Sequence, residues 1–196
     1  LEVCTEFADQ LGDITPKQLT ASIDEFRRWY WADPERHRLA RLNLAPVGRD
    51  VVDGAFRRLD VEPPDVAEEI GNAYADRRQQ AVRLFPGALE TLQSLKDAGV
   101  RMALVTNGNP STQRPKIERF SLEGYFQHIL IEGEFGVGKP DPRVYRHALA
   151  QIGAEANEAW MVGDNLEWEV AAPQRLGITG IWHDWQGRGL PTGTNV

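Results

Sequence analysis

Cysteine is almost absent. Cys4 is the only one in 196 residues, which excludes an intrachain disulfide and any zinc site built from several thiolates. Freedom from disulfides suits a reducing compartment, and a cytoplasmic protein is the expectation. Long apolar runs are also missing. The largest apolar groups, Met102-Ala103-Leu104-Val105 and Ile129-Leu130-Ile131, have the length of strands, far short of the ~18 residues of a membrane span. Positive charge is not in excess either: 22 Lys and Arg stand against 29 Asp and Glu, for a formal charge of −7. Bulk attraction to nucleic acid or to an anionic membrane is therefore not expected. No Gly-x-Gly-x-x-Gly follows a first strand, which argues against a dinucleotide site. Internal repeats are absent, and only the Gly-, Thr- and Pro-rich tail from Gln186 to Val196 reads as loop.

What the sequence does hold is an ordinary globular composition, 41% hydrophobic and 26% charged, in two successive patterns. From 1 to 84 the apolar residues recur at spacings of three and four, as in Val3, Phe7 and Leu11, then Leu19, Ile23 and Phe26, then Val66, Ile70 and Ala73. Breaks at Gly12-Asp13, Asp33-Pro34, Ala45-Pro46 and Pro63-Pro64 divide this stretch into a small bundle of short helices. Thr15-Pro16 and Asp33-Pro34 pair an N-capping side chain with proline at the first helical position. Trp29-Tyr30-Trp31 is read as bundle core rather than as a stacking platform. From Phe85 onward, helices alternate with short apolar strands: strands over 100–106, 128–131, 159–162 and 178–182, and helices over 88–98, 111–120, 142–152 and 166–176. That alternation predicts an α/β fold with a parallel, Rossmann-like sheet. The predicted domains are a helical unit, 1–84, and an α/β unit, 85–196.

In open parallel sheets, ligands bind beyond the carboxyl ends of the strands. There the sequence places Thr106-Asn107-Gly108, then Gly138-Lys139-Pro140, then Gly163-Asp164-Asn165. The Thr106 hydroxyl and the N–H groups of Asn107 and Gly108 suit phosphate oxygens, and Lys139 supplies a positive charge. Asp164 offers the hard oxygen that Mg²⁺ prefers. Glu169, in the next helix, can orient water or the lysine. Each piece also has a plain structural reading: a strand-end threonine, a Gly-Lys-Pro loop, a Gly-Asp-Asn turn. The histidines 37, 128, 147 and 183 are scattered and suggest no constellation.

Taken in order, these residues resemble the haloacid-dehalogenase-like hydrolase superfamily. Its second motif is similar to Ala103-Leu104-Val105-Thr106-Asn107-Gly108, its third to Gly136-Val137-Gly138-Lys139-Pro140, and its fourth to Gly163-Asp164 with Glu169. The resemblance implies a Mg²⁺-dependent phosphatase acting on a small phosphorylated metabolite such as a nucleotide or sugar phosphate. Thr106 and Lys139 would then be catalytic, with Thr106, Asn107 and Lys139 binding phosphate, Asp164 holding the metal, and Asn165 and Glu169 in support. It further implies that 1–84 is a cap whose side chains, Arg27 and Arg28 among the candidates, set specificity. The family's first motif, Asp-x-Asp-x-Thr, occurs nowhere in the chain. Its aspartyl nucleophile and first core strand are expected upstream of Leu1, a further strand and helix are expected after Val196, and the 196 residues alone are expected to be inactive. The alternatives are a non-catalytic binding or regulatory protein on the same fold and a metal-free dehalogenase, the latter disfavoured by Asp164.

Overall fold

Thr15 sets the first long helix. In the computed structural model, which describes residues 1–43 and 46–194, its hydroxyl accepts the Gln18 N–H at 3.3 Å while the Gln18 side chain accepts the Thr15 N–H at 2.9 Å. This reciprocal box satisfies two orphan donors and starts α2 (Pro16–Ala32). Asp33 repeats the device, accepting the Arg36 N–H at 2.6 Å ahead of α3 (Pro34–Leu42). The other helices of this unit are α1 (Glu2–Glu6), α4 (Val47–Arg57) and α5 (Val66–Ala81). The expected break at Ala45-Pro46 falls partly outside the described residues. The apolar spacing of Val3, Phe7 and Leu11 does not carry one helix through: α1 ends at Glu6 and a 3₁₀ turn follows over Ala8–Gln10.

The chain divides into two compact units, Leu1–Leu84 and Phe85–Val196. In the first, Leu19, Phe56, Ala67 and Ile70 are sealed from solvent. Each large side chain so buried contributes roughly 1.5–3 kcal/mol. Glycines let α4 and α5 touch backbone to backbone: a Cβ on Gly71 would lie 2.7 Å from the Gly48 carbonyl carbon. Of the aromatic triplet, Tyr30 and Trp31 pack on the cluster of Ala40, Val47 and Val51. Trp29 departs from the core reading. It is 53% exposed, with the Arg36 guanidinium 3.9 Å above its ring.

In the second unit α6 (Ala88–Asp97), β1 (Ala103–Thr106), α7 (Pro110–Arg119), β2 (His128–Ile131), α8 (Glu132–Phe135), α9 (Pro142–Ile152), β3 (Trp160–Gly163), α10 (Ala172–Gln174) and β4 (Thr179–Trp182) follow in turn. The architecture is α/β, and every strand pairing is parallel. Among the described residues, however, the strands form two separate pairs rather than one sheet: β1 with β2, Thr106 opposite Ile131, and β3 with β4, Gly163 opposite Trp182. Each strand thus keeps one edge without a ladder. β1 is shorter than 100–106 because Met102 donates its N–H to the Gln127 side chain at 2.6 Å instead of to a strand. The helix expected over 166–176 opens as a π-helix, Leu166–Ala171, before α10. Pro173 has no N–H to return to the Glu169 carbonyl, so the regular ladder fails there. Tyr145, Ala172 and Ile178 form the buried cluster between α9, α10 and β4.

Candidate active site

Lys139 is the centre of the polar residues at the strand ends. Its side chain is only 10% exposed, and its ammonium donates to the Glu169 carboxylate at 2.6 Å and to the Val105 carbonyl at 3.0 Å. One ammonium therefore links the end of β1 to the helix that follows β3. A lysine this buried must have its charge matched, and the equally buried Glu169 does so. Glu169 also accepts the Asn165 N–H through its second oxygen at 2.8 Å. Gly163 leaves the room for this: a Cβ there would lie 2.1 Å from the Glu169 Cγ.

The turn after β1 is fixed from the other side. The Asn107 side chain donates to the Lys139 carbonyl at 2.7 Å and accepts the Lys139 N–H at 2.8 Å. Gln113 donates to the Asn107 carbonyl at 3.0 Å. Gly108, at φ 117°, does not offer its N–H outward as the sequence suggested. That N–H goes to the buried carboxylate of Glu132 at 2.8 Å. Thr106 is half-buried beside Val105, and its hydroxyl makes only a long 3.4 Å approach to the Asn107 carbonyl.

Asp164 is exposed at the end of β3, and its carbonyl accepts the Trp182 indole N–H at 3.0 Å. Asn165 turns its side-chain oxygen back to the N–H groups of Glu167 and Trp168, at 3.1 and 3.0 Å, and so caps the π-helix. Tyr145 holds the same segment from α9, donating to the Trp168 carbonyl at 2.5 Å. Burial, followed by the charges of Glu169 and Glu167, pushes the Tyr145 phenol up, so it remains a donor. At the start of α9, Asp141 accepts from Arg143, which holds its carboxyl at about 2.

Among the described residues no cluster of three or more His, Cys, Asp or Glu side chains could hold a metal by itself. Glu132 and Glu169 are engaged with Gly108, Lys139 and Asn165. Mg²⁺ commonly takes one or two carboxylates and completes its sphere with water and substrate phosphate. The exposed Asp164 carboxylate fits one place in such a set.

Thr106, Asn107, Lys139, Asn165 and Glu169 are thus joined by neighbouring residues and hydrogen bonds, with Asp164 next in the chain to Asn165. Glu132 and Gln113 were not anticipated. The only signal for Glu132 was an acid directly after an apolar strand. Arg27, a specificity candidate, donates to the Tyr74 hydroxyl at 2.6 Å and pairs with Asp24.

A protein-family model for haloacid dehalogenase-like hydrolases matches residues 5–177. A phosphoserine phosphatase of Thermus thermophilus is 38% identical over 160 residues, covering 82% of this chain and 57% of that protein. A glyceraldehyde 3-phosphate phosphatase of Pyrococcus furiosus is 36% identical over 132 residues, covering 66% of this chain and 55% of that protein. The chain thus spans little more than half the length of these relatives. The solved structure of a HAD-hydrolase of Bacillus subtilis bound to magnesium shares the fold, with a TM-score of 0.72 at 18% identity over 97% of this chain and 82% of that one. No described helix is long and apolar enough to cross a membrane.

Proposed function

Because the chain belongs to the haloacid dehalogenase-like hydrolase family, we propose that it serves a cytoplasmic, Mg²⁺-dependent phosphohydrolase acting on a small phosphorylated metabolite. The observation that carries this reading is the buried Lys139, whose ammonium joins Val105 at the end of β1 to Glu169 behind β3. It ties the backbone near the end of β1 and the carboxylate that follows β3 to one positive charge. The two relatives named as phosphatases support the choice of chemistry.

In this reading Thr106 and the Asn107 N–H hold oxygens of the transferring phosphoryl group, and Lys139 offsets part of its negative charge. Glu169 and Asn165 keep Lys139 and Asp164 in place. Asp164 would be a ligand of Mg²⁺, which when bound supplies further charge neutralisation to the phosphate oxygens. The chain has no Asp-x-Asp, so the nucleophile is an aspartate outside these residues. Its carboxylate oxygen attacks phosphorus, and the bond from phosphorus to the leaving oxygen breaks. A second aspartate gives that oxygen a proton, then takes one from the water that releases inorganic phosphate and restores the first aspartate. The separate strand pairs are compatible with this assignment, since one added parallel strand bonded to both β1 and β3 would unite them and bring a carboxylate to the same ends. Residues 1–84 then act as the cap that excludes bulk water.

The test is phosphate release by the full-length protein from phosphoserine, glyceraldehyde 3-phosphate, sugar phosphates and nucleoside monophosphates, with and without Mg²⁺. Turnover that requires Mg²⁺ and is abolished by a chelator is expected. Binding of these esters without hydrolysis would instead establish the non-catalytic reading.

A further inference from the structure

We propose that Glu132 is a positioning residue that holds the anion-binding turn Thr106-Asn107-Gly108 in its receiving conformation. This rests on the phosphohydrolase reading above. Glu132 is the residue directly after β2 and is 3% exposed. One of its oxygens accepts the Gly108 N–H at 2.8 Å, and the next residue, Gly133, donates its own N–H to the Gly108 carbonyl at 3.0 Å. Both polar groups of the Gly108 backbone are therefore taken by the Glu132-Gly133 pair.

Two further glycines show how closely these parts are fitted. A Cβ on Gly133 would meet the Pro110 ring at 2.7 Å. One on Gly138 would lie 2.4 Å from the Glu132 carboxyl carbon and 2.7 Å from the Asn107 side-chain oxygen. Glu132 and Asn107 thus lie side by side under the same glycine, one fixing the turn through Gly108 and the other through Lys139.

An ionised carboxylate has no donor of its own, and its bond to a backbone N–H is of the stronger, charge-assisted kind. Turning the Gly108 N–H inward settles which groups of the turn remain for an incoming phosphate, namely those of Thr106 and Asn107. Without the carboxylate the Gly108 N–H is left unsatisfied in a buried place. The turn, whose glycine is conformationally free, then rotates to find another acceptor.

The experiment uses the full-length protein, with p-nitrophenyl phosphate as substrate and inorganic phosphate as competing probe, each variant assayed well below its own melting temperature. Glu132→Ala should raise the inhibition constant of phosphate about tenfold, while Glu132→Gln, whose amide oxygen still accepts the Gly108 N–H, should stay within about threefold of wild type. Gly138→Ala, which presses a methyl group onto the carboxylate, should shift the constant in the same direction as Glu132→Ala. A purely structural role would lower the melting temperature and leave the inhibition constant alone. A folded Glu132→Ala protein with wild-type phosphate inhibition overturns the assignment. If that variant does not fold, a wild-type constant in Gly138→Ala overturns it equally. A wild-type protein that neither hydrolyses the substrate nor responds to phosphate defeats the phosphohydrolase reading itself, a result told apart from the first by the wild-type control.

Discussion

At the scale of single residues, Lys139 and Glu169 present a sharp energetic asymmetry. Both are buried, and each satisfies the other at 2.6 Å. Removing one partner strands a charge in the interior, so Glu169→Ala and Lys139→Ala should each cost roughly 3–5 kcal/mol of stability. Replacing both by apolar residues of similar volume, Lys139→Met with Glu169→Leu, should cost far less, because no unpaired charge remains. Chemical denaturation of the three proteins checks this, and equal losses for single and double variants would contradict it. Asp141 carries a pH dependence. Hydrogen bonds from the Arg143 side chain and N–H hold its carboxyl at about 2, below the ordinary 3.8. A depressed carboxyl stabilises the fold fully above its unfolded value and loses that effect as pH falls through its folded value. Asp141→Ala should therefore destabilise α9 by about 1 kcal/mol near neutrality, as the loss of an N-cap does. The gap in melting temperature between the two proteins should close as the pH is lowered from about 4 to about 2.

At the scale of elements, the contact of α4 with α5 depends on two glycines meeting. Gly71→Ala places a methyl 2.7 Å from the Gly48 carbonyl carbon. The helices must separate, and a loss of about 1–3 kcal/mol is expected by denaturant titration, despite alanine's better helix propensity. Such pairings could not be read from sequence, where an isolated glycine in a helix signals only weakness. Capping was far more legible. Thr15-Pro16 and Asp33-Pro34 are local signals, and local hydrogen bonds answer them. The strand His128–Ile131 likewise coincides with its apolar run. Val100 and Met102 look equally apolar, yet their backbone partners are set by the helix end and by Gln127, which no run of hydrophobicity encodes. The grouping of Asn107, Lys139, Asn165 and Glu169 was suggested by their order beyond successive strands, and hydrogen bonds link them. The site was not legible where a neighbour intervenes, as Glu132 does at Gly108. That contact spans 24 positions and depends on β1 and β2 lying side by side.

At the scale of the whole molecule, each hydrophobic cluster among the described residues is built from residues of a single unit: Val3 to Ala73 in one and Ala40 to Val51 with their aromatic neighbours in another, both within Leu1–Leu84, and Tyr145 to Ile178 within Phe85–Val196. A unit that owns its core can fold alone once it is well above about 40 residues. Residues 1–84 expressed by themselves should therefore be helical and melt in one cooperative transition by circular dichroism. A non-cooperative melt would show that the bundle depends on the rest of the chain. The α/β unit differs in kind, since its parallel strands stand in two separate pairs. Parallel sheets are ordinarily buried and continuous, and sequence periodicity, which reports each strand's own faces, carries no information on which strands become neighbours.

The hydrogen bond from the Trp182 indole to the Asp164 carbonyl has an optical consequence. Indole emission responds to the polarity and charge around the ring, and this ring is anchored to the backbone of Asp164, the exposed carboxylate proposed as a metal ligand. A cation arriving at Asp164 would alter the field at that chromophore without any label attached. The difference in emission between the wild-type protein and Trp182→Phe during a Mg²⁺ titration isolates that signal from the other tryptophans, so occupancy at the end of β3 can be followed by light alone, with no substrate present.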